Sequence, residues 1–256
     1  MHDPVMLRAY NNGNTGATAF FRNRPFLDTF LRHLAENSST QIRILVHACS
    51  VGAEPYSLVM WWRNRVPPAV KKKTELEVVA TDIDGEFIEY AKQGSYPSTL
   101  MEGMSKTERS WFMRSGDQIL IPPRYRKHVS FAPPCNFVAD GIDGEFDAVL
   151  IMNALTYVTP DEQTATVAKV AAQARTLVGL TAFHPDSICS DVEAAGMRPL
   201  MTNHEEIHNA WGDRLSPAPV PPDSPDYAWR LSPYETDSAD YAFRYGTLFE
   251  RAPESD

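Results

Sequence analysis

Cysteine is scarce in this 256-residue chain: only Cys49, Cys135 and Cys189 occur. An odd number at wide spacing excludes a disulfide framework and a cysteine zinc site, and suits a reducing compartment. No apolar run approaches the roughly 20 residues that cross a bilayer. The opening Met-His-Asp-Pro has neither the positive nor the apolar region of a secretion signal, so a cytoplasmic enzyme that does not engage membranes is expected. Basic residues are outnumbered, giving a net charge of −9 with no basic stripe. That excludes nucleic acid as a partner, because phosphates call for a cationic surface. The lysine run 71–73 precedes a strand and reads as a solvated loop. No internal repeat is visible. What is present is 43% hydrophobic residues, enough for one core carrying an insertion.

Glycine is missing where a phosphate-binding turn would place it. The apolar run Ile42–Val46 leads through Ala48-Cys49-Ser50-Val51-Gly52 into the helical Leu58-Val59-Met60-Trp61-Trp62. This is the strand, tight turn and helix N-terminus that opens a nucleotide-binding sheet, with one glycine in place of three. Small residues in the turn let backbone N–H groups approach a ligand at the positive end of the helix dipole. The next strand, Glu77 to Thr81, ends in Asp82, a carboxylate suited to two ribose hydroxyls. An adenosyl group without phosphates fits best, and S-adenosylmethionine is the commonest such cofactor on this architecture.

Along the chain, residues 1–17 read as an irregular mobile arm and Phe20–Leu34 as an amphipathic helix, so that 1–40 forms part of a cofactor lid. Residues 41–256 form the cofactor-binding domain. Strands are expected at 42–47, 76–81, 147–152 and 177–183, with helices at 54–65, 84–93, after Thr159-Pro160, and over 190–195. Residues 95–130 are irregular and read as an insertion. Met197–Met201 and Tyr241–Glu250 read as antiparallel edge strands. Between them, a cover over about 204–240 contains the proline-rich 217–222. The expected fold is α/β, Rossmann-like, with a mostly parallel seven-stranded sheet and an inserted subdomain.

Three segments carry a family resemblance: Thr18-Ala-Phe-Phe-Arg22; Ala48-Cys-Ser-Val-Gly-Ala-Glu-Pro-Tyr-Ser57 with Thr81-Asp-Ile-Asp84; and Asn153-Ala-Leu-Thr-Tyr157. In order and spacing, over 16 to about 160, the chain resembles the CheR-type chemotaxis-receptor glutamate methyltransferases, a class I S-adenosylmethionine-dependent family. The resemblance implies that Thr18, Arg22, Ala48, Cys49, Glu54, Asp82, Ile83, Asn136, Phe137, Met152 and Asn153 surround the cofactor. In that reading Glu54 and the Ala48 backbone hold the methionine portion, Asp82 holds the ribose, and Asn136 and Phe137 flank the adenine. Arg22 and Tyr157 take the catalytic positions, with S-adenosylhomocysteine as product. The chain departs from the pattern at Gly16 (commonly asparagine), Ala53 (the first of two glutamates) and Met152 (arginine). In the family a basic helical domain that grips receptor helices precedes Thr18, where this chain has 17 residues.

Methyl transfer from a sulfonium is an in-line displacement that depends on alignment. A carboxylate acceptor is already ionised at neutral pH and needs no base, and Arg22 can orient it with a forked hydrogen bond. An amine or hydroxyl acceptor would want a base, and His184 past the fifth strand is placed for that. His204-Glu-Glu-Ile-His208 matches a zinc-protease pattern literally but has no third ligand at a diagnostic spacing, so no metal is expected. His204, His208 and Trp211 are candidates for substrate contact from the cover. Without the receptor-gripping domain and with so long a cover, the expected acceptor is a small molecule in a biosynthetic pathway. The alternatives are a chemotaxis-type protein-glutamate O-methyltransferase, aminocarboxypropyl transfer or cyclisation suggested by Met152 and Ala53, and a nucleoside-binding sensor. Oligomeric state is left open.

Overall fold

The computed structural model describes residues 4–11, 13–37, 40–71, 74–181, 185–212, 214–221, 223–224, 226 and 230–252. Two compact units emerge: residues 1–22 with 31–142, and residues 23–30 with 143–256. The main sheet is seven-stranded and mostly parallel, the Rossmann-like arrangement expected of a class I methyltransferase.

The first unit begins with an antiparallel hairpin, β1 (Leu7–Asn11) and β2 (Asn14–Thr18). Within the expected mobile arm, residues 7–11 and 14–17 are thus strand. Helix α1 (Arg24–Asn37) follows, its last turns counted with this unit. Its start is four residues later than the apolar spacing suggests. Phe21 lies in the left-handed region at φ 54°, and the Asn23 side chain caps the helix by accepting the Phe26 N–H at 2.9 Å.

Next come β3 (Gln41–His47), α2 (Ala53–Asn64), α3 (Pro68–Lys71), β4 (Glu75–Ala80) and α4 (Gly85–Gln93). The insertion is a small antiparallel sheet of β5 (Ser95–Pro97), β6 (Met113–Ser115) and β7 (Gln118–Leu120), with α5 (Lys106–Arg109) between the first two. α6 (Pro123–Arg126) and β8 (Val129–Phe131) complete the unit. β4 lies parallel to both β3 and β8. β3 is buried on both faces over Ile44–His47, so it reads as a continuous apolar run rather than an alternating one.

The second unit holds β9 (Phe146–Ile151), α7 (Pro160–Gln173), β10 (Ala174–Leu180), α8 (Pro185–Ala194), β11 (Met197–Pro199), α9 (His204–Asn209), α10 (Tyr241–Arg244) and β12 (Leu248–Arg251). β9 and β10 are parallel; β12 runs antiparallel to β10 and to β11. α7 starts as expected, with a reciprocal Thr159–Glu162 capping box and proline in its first turn. The last strand is shorter than expected, because Tyr241–Arg244 coils into α10 before the chain extends.

Candidate active site

The first unit builds a turn at the carboxyl end of β3. Ala48 and Ser50 (both φ 51°) and Gly52 (φ 86°) are all left-handed. Such a backbone persists at non-glycine residues only when its surroundings impose it, and here they do. The Cys49 N–H donates to the Thr81 carbonyl at 3.0 Å and the Ser50 N–H to Asp82 Oδ2 at 2.7 Å, tying the turn to the end of β4. The Tyr96 hydroxyl of the inserted sheet donates to the Val51 carbonyl at 2.8 Å. A Cβ on Gly52 would stand 2.6 Å from the Ala91 Cβ of α4, so glycine is the residue that lets the helix close on the turn.

Three carboxylates surround this turn. Asp82 is buried; its Oδ2 accepts from Ser50 and its Oδ1 from the Asp84 N–H at 3.0 Å. Burial raises its pKa, only partly offset by these bonds. A carboxylate has about four acceptor sites, so Asp82 keeps capacity for a hydroxyl donor beside these backbone bonds. Beside it the Ile83 side chain is 55% exposed, an open apolar surface at the strand end. Asp84 caps α4 through the Glu86 N–H at 2.9 Å and accepts the side-chain amides of Asn11 and Asn14 at 3.0 Å. Burial opposes its ionisation, yet these bonds hold its pKa below the ordinary value. They also pin the hairpin to the end of β4.

Glu54 lies in the first turn of α2. Burial pushes its carboxyl up to about 7 although the Arg22 charge works the other way. The same burial, with the charges of Asp82 and Glu54, drives the Cys49 thiol well above its usual value, so it is an inert packing group. Arg22 follows Phe21, whose N–H donates to Ser57 Oγ at 3.0 Å, and Thr18 is buried at the end of β2. A Cβ on Gly16 would meet Ser50 Oγ at 2.3 Å, so the asparagine common in the family does not fit against this turn as it stands. Ser50 Oγ is buried without a hydrogen-bond partner. Asn136 closes a local turn, accepting the Val138 N–H at 3.0 Å, and the Phe137 ring lies 6.3 Å from that of His47. Of the expected cofactor residues, Thr18, Arg22, Ala48, Cys49, Glu54, Asp82, Ile83, Asn136 and Phe137 belong to the first unit.

A methionine ammonium suits the raised Glu54 carboxyl, a ribose suits Asp82, and an unpartnered hydroxyl stands in the turn itself. S-adenosylmethionine fits these residues.

In the second unit, Met152 is buried and Asn153 is left-handed at φ 58°. The Asn153 N–H donates to Thr181 Oγ1 at 2.7 Å, and its side-chain oxygen accepts from Arg214. Tyr157, in a short 3-10 turn, is 57% exposed. His184 lies outside the described residues. The substrate-contact expectation for His204, His208 and Trp211 is corrected. Both imidazoles are buried, which lowers their pKa and keeps them neutral. His204 Nε2 donates to the Ala242 carbonyl at 2.8 Å, leaving Nδ1 to accept the Tyr234 hydroxyl at 2.9 Å. His208 Nε2 donates to the Ser232 carbonyl at 2.7 Å, and Trp211 packs against Phe26. The two imidazoles on α9 thus fasten downstream segments at Ser232, Tyr234 and Ala242 instead of facing a ligand. Among the described residues no cluster of three metal-ligating side chains occurs. The residues missed in the sequence are Tyr96, the hairpin asparagines and Arg214, which no local pattern marks; Ser50 reads there as a small turn residue and not for its hydroxyl.

A chemotaxis protein methyltransferase of Listeria monocytogenes is 34% identical over 149 residues, covering 56% of this chain and 55% of that protein. One from Escherichia coli is 29% identical over 154 residues, covering 57% and 52%. The chain thus spans about half the length of the relatives it matches. No helix among the described residues is long and apolar enough to cross a membrane. The relatives overturn the expectation of a small-molecule acceptor and partner. That expectation rested on the short stretch before Thr18 and on the long cover, whose His204, His208 and Trp211 are packed inward. The CheR methyltransferase SAM binding domain matches residues 16–191, from the hairpin into α8, and the chain belongs to that family.

Proposed function

We propose that the chain is a cytoplasmic protein-glutamate O-methyltransferase of the chemotaxis type, dependent on S-adenosylmethionine. The observation that carries this reading is the likeness to chemotaxis protein methyltransferases over the stretch that contains the turn, Asp82 and Glu54. When bound, S-adenosylmethionine supplies a methyl group on a sulfonium, taken by an acceptor carboxylate oxygen as the carbon–sulfur bond breaks with its electron pair. Glu54 and the 48–52 backbone hold the amino-acid end, Asp82 the ribose, and Ile83, Asn136 and Phe137 the adenine. Met152, Asn153 and Tyr157 keep the roles the resemblance gives them. Arg22 presents a forked donor to the acceptor carboxylate, and Thr18 stands beside it. No proton moves, because the acceptor is ionised at neutral pH.

The test is incubation with methyl-labelled cofactor and a glutamate-rich chemoreceptor cytoplasmic fragment. A carboxyl methyl ester releases its label as volatile methanol in mild base. Base-labile protein label is expected; base-stable label, or label on small acids only, refutes the reading.

A further inference from the structure

The sequence has no basic stripe, but the fold assembles a basic face. Two stretches carry no carboxylate, 55–74 and 118–139, and together they hold eight lysines and arginines. The first supplies the end of α2 and α3, the second supplies α6. Asn64 Nδ2 joins them by donating to the Tyr125 hydroxyl at 2.9 Å, and the Arg63 guanidinium lies against His128 Nε2. Around this junction Arg63, Arg65, Arg124 and Lys127 are exposed. Arg65 lies over the Trp61 ring and Arg124 over that of Tyr125, at 5.2 and 4.7 Å, which stiffens both. Lys71 Nζ caps α2 through the Trp62 and Arg63 carbonyls at 3.2 and 3.0 Å.

None of these five cations has a carboxylate partner among the described residues. Elsewhere Arg43, Arg175, Arg198 and Arg244 are paired with Glu77, Asp147, Glu250 and Asp240. The mutual repulsion is felt at the centre. Burial, then Arg63 and Lys127, depress the His128 pKa, with Glu75 at the rim opposing them. Lys71 is lowered by burial and then by Arg63. Clustering unpaired like charges costs folding free energy, and an anionic partner removes that cost.

We propose that this face, at the end of α2 remote from the cofactor turn, is a docking surface for a short acidic segment of another protein. α2 has 12 residues, so the face lies about 18 Å along the helix from the turn. Arginine forks match carboxylates two-pronged. The choice of a short segment follows from the rest of the chain, which is more acidic than the net −9. A membrane or a nucleic acid spreads charge beyond the face and meets that acidic remainder. Charges farther apart than the screening length of about 8 Å interact little, so a short peptide seated on the face feels mainly the cations beneath it. The inference holds whether or not the methyl acceptor is a protein.

The probe is a fluorescein-labelled glutamate-rich peptide of about four helical turns, titrated into the whole protein with anisotropy as readout. Binding that weakens with salt is expected, with no binding of the matching glutamine peptide. Arg63→Glu combined with Arg124→Glu weakens it about tenfold or more, since two ion pairs become like-charge contacts. Arg63→Gln with Arg124→Gln gives an intermediate loss. Calorimetry with S-adenosylhomocysteine certifies both variants as folded, with unchanged affinity. Peptide binding indifferent to the reversals overturns the proposal. So does a reversal effect confined to phosphatidylserine vesicles, to a single-stranded oligonucleotide, or to self-association measured by sedimentation.

Discussion

Glu54 makes cofactor affinity depend on pH in a direction that its surroundings dictate. Its carboxyl is pushed up to about 7 in the free protein, against 4.5 for an unburied glutamate. An ammonium group arriving beside it favours the ionised form, so binding expels the proton. The apparent dissociation constant then scales with one plus the ratio of protonated to ionised Glu54, and affinity is about tenfold weaker at pH 6 than at pH 8. Stability of the free protein runs the other way. A carboxyl raised on folding stabilises below its unfolded pKa, and that contribution is lost as pH rises from 4.5 through about 7. The ligand-induced rise in Tm should therefore be larger at pH 8 than at pH 6. Calorimetric titration with S-adenosylhomocysteine, which keeps the amino group, in two buffers of different ionisation enthalpy measures both affinity and proton release. Near pH 6 close to one proton should leave per ligand bound. Glu54→Gln should bind more weakly at pH 8 and show no pH dependence. Wild-type affinity that is flat from pH 6 to 8, with no proton released, refutes the reasoning.

Gly52→Ala places a Cβ 2.6 Å from Ala91 at φ 86° and should cost about 1–3 kcal/mol, read as a lowered Tm; an unchanged Tm contradicts the geometry. Asp84→Ala removes the α4 cap, worth about 1 kcal/mol, and the anchor of Asn11 and Asn14. Amide exchange over residues 7–18 should quicken, and unchanged protection there means the hairpin is held by something else. Arg214→Ala leaves the Asn153 side chain without its donor. It should lower kcat more than cofactor affinity and be non-additive with Asn153→Ala; additive losses separate the two residues.

What was legible in the sequence was local. The turn after β3, the Asp84 cap and the Gly94 stop of α4, and the Thr159–Glu162 capping box all lie within a few residues of the elements they shape. The hairpin was missed although Asn12-Gly13 is the strongest two-residue hairpin signal. Its strands lack apolar alternation, and the groups that hold Asn11 in place are 73 residues away. The cover was misread for the same reason. His204 and His208 satisfy a five-residue motif, but partners 24 to 38 residues downstream decide their role. Arg214 meets Asn153 across 61 residues, a pairing that no window contains.

The charges on α2 tie the two ends of the first unit together. Glu54 stands at the positive end of the helix dipole, while Arg63 and Lys71 stand at the negative end, where Lys71 caps the last carbonyls. Dipole and Arg22 both favour an ionised Glu54, yet its carboxyl is raised, so desolvation outweighs them. The turn is thus kept short of one positive charge in the free protein. At the other end Arg63 is exposed and Lys71 half-buried, and neither has a carboxylate partner among the described residues. Each end of the same helix therefore waits for a charge of opposite sign, an ammonium in the buried turn and carboxylates at the exposed face. Salt should separate the two: raising ionic strength weakens the peptide while leaving the buried Glu54 site nearly unchanged.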